Sequence, residues 1–132
     1  MAKTSDYQIH QKKYQSAKLP ELEVVENHYS DREYHVRFEV PEFTCVCPKT
    51  GQPDFATLVI EFYPAKKLVE LKSLKLHLQG YRNVGVFHEH VANKVLDTLV
   101  KAIAPRRMRI SADFNVRGGI HTVVTAGYKW KA

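Results

Sequence analysis

The chain has 132 residues, the size of one domain around one hydrophobic core. Hydrophobic residues are 44% and charged residues 26%, a balance that excludes a fibrous or wholly disordered chain. The 20 Lys and Arg outnumber the 14 Asp and Glu, leaving a net charge of +6. That surplus favours a polyanionic partner (nucleic acid, a phosphorylated cofactor or substrate, or an anionic membrane) without choosing among them. No apolar run reaches the ~20 residues that span a bilayer. The opening Met-Ala-Lys-Thr-Ser-Asp carries no apolar signal core, so the expected compartment is the cytoplasm.

Residues 1–20 are polar and basic, with Lys3, Lys12, Lys13 and Lys18 and no apolar period. They read as an arm that Pro20 ends, ahead of a single domain over 21–132. Residues 22–27 form a short expected strand. Tyr34, Val36, Phe38 and Val40 then alternate with His35, Arg37 and Glu39, the period of a half-buried strand, and Pro41 is expected to stop it. Residues 41–53 hold three prolines, Gly51 and both cysteines and read as a loop. Ala56, Leu58, Ile60 and Phe62 share one face of a second strand over 55–63.

The period then changes. Leu71, Leu74, Leu78 and Tyr81 make the apolar stripe of a helix, with Lys72, Lys75, Gln79 and Arg82 one residue on as a basic stripe. A second helix over 87–103 turns Ala92, Leu96, Leu99 and Ile103 to a core, and Pro105 terminates it. Two alternating strands close the chain, over 107–116 and 120–128, and Gly118-Gly119 between them suits a primed hairpin turn. The order is ββααββ, an α+β chain expected to form an antiparallel four-stranded sheet with both helices on one face. Its free edges are expected to be closed by assembly of several copies into a barrel.

Cys45 and Cys47 are too close for unstrained disulfide geometry and lack CxxC spacing. A metal site built from them with His88 and His90 is disfavoured, because a spacing of two is not a common zinc arrangement.

The run Phe43-Thr44-Cys45-Val46-Cys47-Pro48-Lys49-Thr50-Gly51-Gln52-Pro53-Asp54-Phe55-Ala56 closely resembles the catalytic loop of the NADPH-dependent 7-cyano-7-deazaguanine reductases, the nitrile reductases of queuosine biosynthesis. Glu70-Leu71-Lys72-Ser73-Leu74-Lys75 is similar to the same family's signature helix start. Phe87-His88-Glu89 and Arg117-Gly118-Gly119 match two further segments. The resemblance is collinear from Leu22 to Tyr128, with one departure: His77 stands where the family usually has Tyr, Phe or Trp.

The resemblance implies the tunnelling fold in its single-module form, assembled as a homo-oligomer, two stacked pentamers, with sites at subunit boundaries. It implies Cys47 as nucleophile toward the nitrile carbon and Asp54 as general acid. Val69, Glu70, Leu71, His88 and Glu89 are implied at the substrate, with the Glu89 carboxylate pairing the guanine-like N–H edge. Leu71, Lys72, Arg117 and Gly118 are implied at NADPH, whose phosphates call for cations and open backbone N–H groups. Cys45 has no family role and is expected to be a small packed side chain. No direct nucleic-acid or membrane partner is expected.

Read without the family, each residue has a plainer reading. Asp54 would be a cap or turn residue, Glu70 and Glu89 solvated helix-end acids, and the basic stripe a solvated face. Two rival functions compete: a cyclohydrolase of the same fold acting on GTP or a pterin-like base, and a basic sheet protein stacking RNA on Tyr34, Phe38, Tyr63 and Tyr128.

Overall fold

A computed structural model describes residues 18–131. Its main sheet has four antiparallel strands in the order β2-β3-β5-β6. These are β2 (Val36–Val46), β3 (Pro53–Tyr63), β5 (Arg107–Phe114) and β6 (Val123–Tyr128). A separate ribbon pairs β1 (Val24–Glu26) with β4 (Lys67–Val69), so the first expected strand is shorter than residues 22–27 and lies outside the main sheet. Helix α1 (Leu71–Gln79) runs into a 3-10 turn (Gly80–Asn83), and α2 (His88–Ile103) follows.

One face of the sheet carries the core. Ala56, Leu58, Ile60 and Phe62 of β3 lie beside Met108, Ile110, Ala112 and Phe114 of β5. All eight are buried against Leu74 and Leu78 of α1 and Val91, Ala92, Val95, Leu96, Leu99 and Ile103 of α2. Both helices therefore cover the same face, as the two changes of period predict. Removing one of the large side chains, Phe62 for example, would cost about 3–5 kcal/mol through lost burial and the cavity left behind.

Pro41 does not stop its strand. β2 continues through it to Val46, because the register shifts between Val40 and Phe43. Proline is tolerated at such a bulge on an edge strand, where its missing N–H breaks no ladder bond. The extra residue changes the phase of alternation, so Phe43 and Cys45 become the inward residues, both buried. The expected loop shrinks to the turn 47–52. The hairpin after β5 is as expected: Arg117 and Ile120 exchange two 3.0 Å backbone hydrogen bonds, and Gly118 and Gly119 hold φ of 59° and 77°, the left-handed conformation a primed turn requires. Its flanking strands are shorter than expected: β5 ends at Phe114 and β6 begins at Val123.

Of the basic arm expected over residues 1–20, residues 1–17 lie outside the described residues. The remainder packs on α1. The carbonyl of Pro20 accepts from His77 Nδ1 at 2.7 Å. A carbonyl can only accept, so Nδ1 carries the proton. A Cβ on Gly80 would come within 2.8 Å of Leu19 Cδ2, so a larger residue there would have to displace the Leu19 side chain. The His77 ring meets Tyr81 edge-on at 5.9 Å, which keeps an aromatic contact where the family usually has an aromatic side chain. Leu71, expected on the buried stripe, is 59% exposed instead: it is the first helical residue, beyond the sheet-facing turns.

Candidate active site

Four of the expected site residues converge at one end of the sheet. The turn between β2 and β3 is closed by Cys47 N donating to Gln52 O and Gly51 N donating to Cys47 O, both at 2.8 Å. It holds Cys47 half-buried. Asp54 follows as the second residue of β3, opposite Cys45 in the register. It is in phase with Ala56, Leu58, Ile60 and Phe62, so its carboxylate sits at the end of the buried stripe, its side chain 6% exposed.

Burying a carboxylate is costly unless it is paired and hydrogen-bonded. Asp54 has two partners. His88 Nε2 lies 3.3 Å from Oδ2, and Arg117 Nη2 lies 3.0 Å from Oδ1. His88 arrives because residues 84–86 pair with the end of β2: Val46 N donates to Val84 O, and Val86 N to Val46 O, each at 3.0 Å. The first turn of α2 therefore starts beside Asp54. The imidazole lies flat on Phe114, with ring centroids 3.9 Å apart and planes 6° from parallel. Arg117 reaches the site from the β5–β6 hairpin. It also donates to Gln52 Oε1 at 3.1 Å and to the Pro53 carbonyl.

The two thiols differ although only Val46 separates them. Burial, together with the nearby Asp54 and Cys47, pushes the Cys45 thiol up to about 12. Burial also opposes ionisation of Cys47. There it is outweighed by hydrogen bonds from the Thr50 hydroxyl and from the backbone N–H groups of Thr50 and Lys49, and Cys47 is held below the ordinary thiol value despite the opposing charge of Asp54. Cys45 is thus a small packed side chain, as expected, and Cys47 an activated one.

Among the described residues, Val69, Glu70, Leu71 and Lys72 make no such contact with this cluster. β3 spans about 33 Å at ~3.3 Å per residue, with Asp54 near one end and Tyr63 at the other. Val69, Glu70, Leu71 and Lys72 follow from the Tyr63 end, and only after α1 and the 3-10 turn, roughly 20 Å of helix, does the chain return to Cys47. No hydrogen bond or ion pair among the described residues joins these four to Cys47, Asp54, His88 or Arg117. Glu70 caps α1: its Oε2 accepts from Lys72 N at 2.6 Å and its Oε1 from Ser73 N at 2.8 Å. These two N–H donors hold its carboxyl below the usual range. Glu89 is exposed in the first turn of α2. Gly118 is open, with nothing within 4 Å of the position a Cβ would take.

Sequence reasoning missed Thr50, Gln52 and Phe114. Phe114 carried a signal: it is an inward residue of β5 in register with Ala56, two positions from Asp54. Thr50 and Gln52 look like ordinary turn residues, and no periodicity marks them. Among the described residues, no group of three or more His, Cys, Asp or Glu is placed to hold a metal ion, and no helix is long and apolar enough to cross a membrane.

The aromatic residues available for RNA stacking are engaged within the chain. Tyr34 donates its hydroxyl to Asn27 Oδ1 at 2.7 Å. Phe38 meets Phe62 edge-on. Tyr63 lies under the Arg107 guanidinium, 3.8 Å away.

Comparison with known proteins gives the family. Residues 53–132 match the family described as QueF-like protein, a stretch that contains Asp54, His88 and Arg117. The NADPH-dependent 7-cyano-7-deazaguanine reductase of Thermomicrobium roseum is 57% identical over 83% of this chain and 85% of its own length. The enzyme of the same name from Halorhodospira halophila is 58% identical over 80% and 89%. In fold, the chain is similar to the crystal structure of an apo archaeosine synthase QueF-Like, with a TM-score of 0.65 at 18% identity over 76% of this chain and 96% of that one. This likeness supports the tunnelling fold for the sheet and its two helices. On the strength of both the match across its second half and identity above one half over most of its length, the chain belongs to the NADPH-dependent 7-cyano-7-deazaguanine reductase family of QueF-like proteins.

Proposed function

We propose that this chain reduces the nitrile of 7-cyano-7-deazaguanine to the aminomethyl group, through a covalent thioimide on Cys47. The observation that carries the proposal is the activated thiol of Cys47 beside a buried carboxyl, Asp54, that contacts His88. A thiolate adds readily to an electrophilic nitrile carbon. The S–C bond forms as one π bond of the nitrile breaks, and nitrogen takes a proton from Asp54. His88, 3.3 Å from Oδ2, can then return a proton to the carboxylate.

NADPH, when bound, supplies the hydrides, two molecules for the four-electron reduction. The residues proposed for it suit a polyanion: Lys72 presents an exposed cation, Leu71 an exposed apolar surface, and Gly118 an unhindered backbone. Val69, Glu70, Leu71, His88 and Glu89 are proposed for the base, with Glu89 accepting from its N–H edge. The Glu70 carboxylate is already engaged as a cap, so the part of its residue left for substrate is the backbone.

The lack of any hydrogen bond or ion pair between the two halves of this set, among the described residues, favours a shared site. Nothing in one chain ties the start of α1 to Cys47, and in this reading a second copy supplies Val69 to Lys72. The free edges of β2 and β6 suit that assembly into a ring. The test is intact mass after mixing the chain with the nitrile base and no NADPH. An adduct of the base's mass, mapped to Cys47 and lost in Cys47→Ala, is the expected result. An unmodified chain, or an adduct that persists in Cys47→Ala, would refute the mechanism.

A further inference from the structure

The family resemblance implies Arg117 at the cofactor, yet here its guanidinium is occupied at Asp54. We propose that Arg117 is a positioning residue for Asp54, which pins one carboxylate oxygen and confines the transferable proton to the other. The inference rests on the reductase reading above and assigns the two oxygens of its acid.

Three acceptors on three consecutive residues converge on this one side chain. Nη2 lies 3.0 Å from Asp54 Oδ1 and donates to the Pro53 carbonyl, while Nη1 donates to Gln52 Oε1 at 3.1 Å. Gln52 in turn accepts from Cys47 N through its carbonyl at 2.8 Å. A planar fork with fixed donors suits such a set, whereas a lysine would offer only a point charge. The platform that delivers Arg117 is stiff. The hairpin closes on itself between Arg117 and Ile120, and the stretch before it is tied by Phe114 N to Thr122 O and Asn115 N to Phe55 O, each at 2.9 Å.

Asp54 Oδ1 and Oδ2 consequently have different chemistry. Oδ1 faces a guanidinium, which does not give up its proton in proteins. Oδ2 faces His88 Nε2 at 3.3 Å, a ring nitrogen that, unlike a guanidinium, can either donate or accept a hydrogen bond. The stacking of His88 on Phe114 sets the ring plane that aims Nε2 at Oδ2. Proton traffic through Asp54 thus has one open oxygen, and its direction is fixed by the hairpin on one side and the helix start on the other.

The test separates this role from cofactor binding by leaving NADPH out. The full chain and its Arg117→Ala, Arg117→Lys and Gln52→Ala variants are mixed with 7-cyano-7-deazaguanine, quenched and weighed. Arg117→Ala is expected to slow adduct formation on the order of 10²-fold, the scale of a displaced catalytic group. Arg117→Lys should recover only part of the rate, and Gln52→Ala should slow it less than Arg117→Ala. Calorimetry on Cys47→Ala with and without Arg117→Ala should give the same affinity for the base, a split that general damage to the fold would not produce. Adduct formation by Arg117→Ala at the unsubstituted rate, full recovery in Arg117→Lys, or an equal loss of base affinity would overturn the assignment. Should Arg117→Ala fail to fold, the Lys and Gln52→Ala rates decide in the same way. A lack of adduct in the unsubstituted chain would count against the reductase reading instead.

Discussion

Cys45 and Cys47 offer a direct test of how the fold, rather than the sequence neighbourhood, decides reactivity. The perturbation is alkylation with iodoacetamide at pH 7, without substrate. Only a thiolate reacts. Burial pushes Cys45 up to about 12 from an ordinary 9.0, which leaves about 10⁻⁵ of it ionised at pH 7, against about 10⁻² for an ordinary thiol. Ionisation alone therefore slows Cys45 by about 10³, or about 4 kcal/mol, before its complete lack of exposed surface is counted. Cys47 is moved the other way by Thr50 and Lys49, so the ratio between the two thiols should exceed 10³. Peptide-resolved mass spectrometry reads both sites in one sample. In a strong denaturant, where both environments vanish, the ratio should fall to near one. Folded protein in which Cys45 is labelled within tenfold of Cys47 would refute the reasoning.

Other outcomes follow from the same geometry. Thr50→Val should move the alkylation profile of Cys47 toward higher pH and Thr50→Ser should restore it, since the hydroxyl is one of the groups favouring the thiolate; an unmoved profile in Thr50→Val would remove that role. Cys45 and Tyr81 are both held protonated up to about 12 in the fold, against ordinary values of 9.0 and 10.0. Their contribution is complete below about pH 9 and declines as pH rises toward 12, by about 1.4 kcal/mol per pH unit for each group between its two values. Urea unfolding from pH 8 to 11 at fixed protein concentration should show that decline, with a shallower slope in Cys45→Ala. Glu70→Ala should lower the thermal midpoint without any ligand, because two N–H groups of α1 lose their acceptor; an unchanged midpoint would leave the cap without a stabilising role. Glu89→Ala should weaken binding of the nitrile base by about 2–5 kcal/mol, and unchanged calorimetric affinity would exclude Glu89 from the base's N–H edge.

Most of the architecture was legible along the chain, because burial follows period. Alternation over 55–63 and 107–114, and the spacing of Ala92, Leu96, Leu99 and Ile103, identify strands and helix without any partner in view. Gly118-Gly119 identifies its turn because a positive φ there suits glycine. Local signals failed at Pro41, where a bulge on an edge strand absorbed a residue that normally ends pairing, and at Leu71, where position on the first turn outweighed the stripe. The motifs named Cys47, Asp54, His88 and Arg117, but composition and spacing could not say what each touches. A carboxylate's partners come from residues 34 and 63 positions away, brought together by the pairing of residues 84–86 with Val46 and by the β5–β6 hairpin. Only the tertiary structure decided that Arg117 meets Asp54 and that Glu70 spends its carboxylate on its own helix. Secondary structure is set by neighbours in sequence, whereas a site's charges and hydrogen bonds are set by neighbours in space.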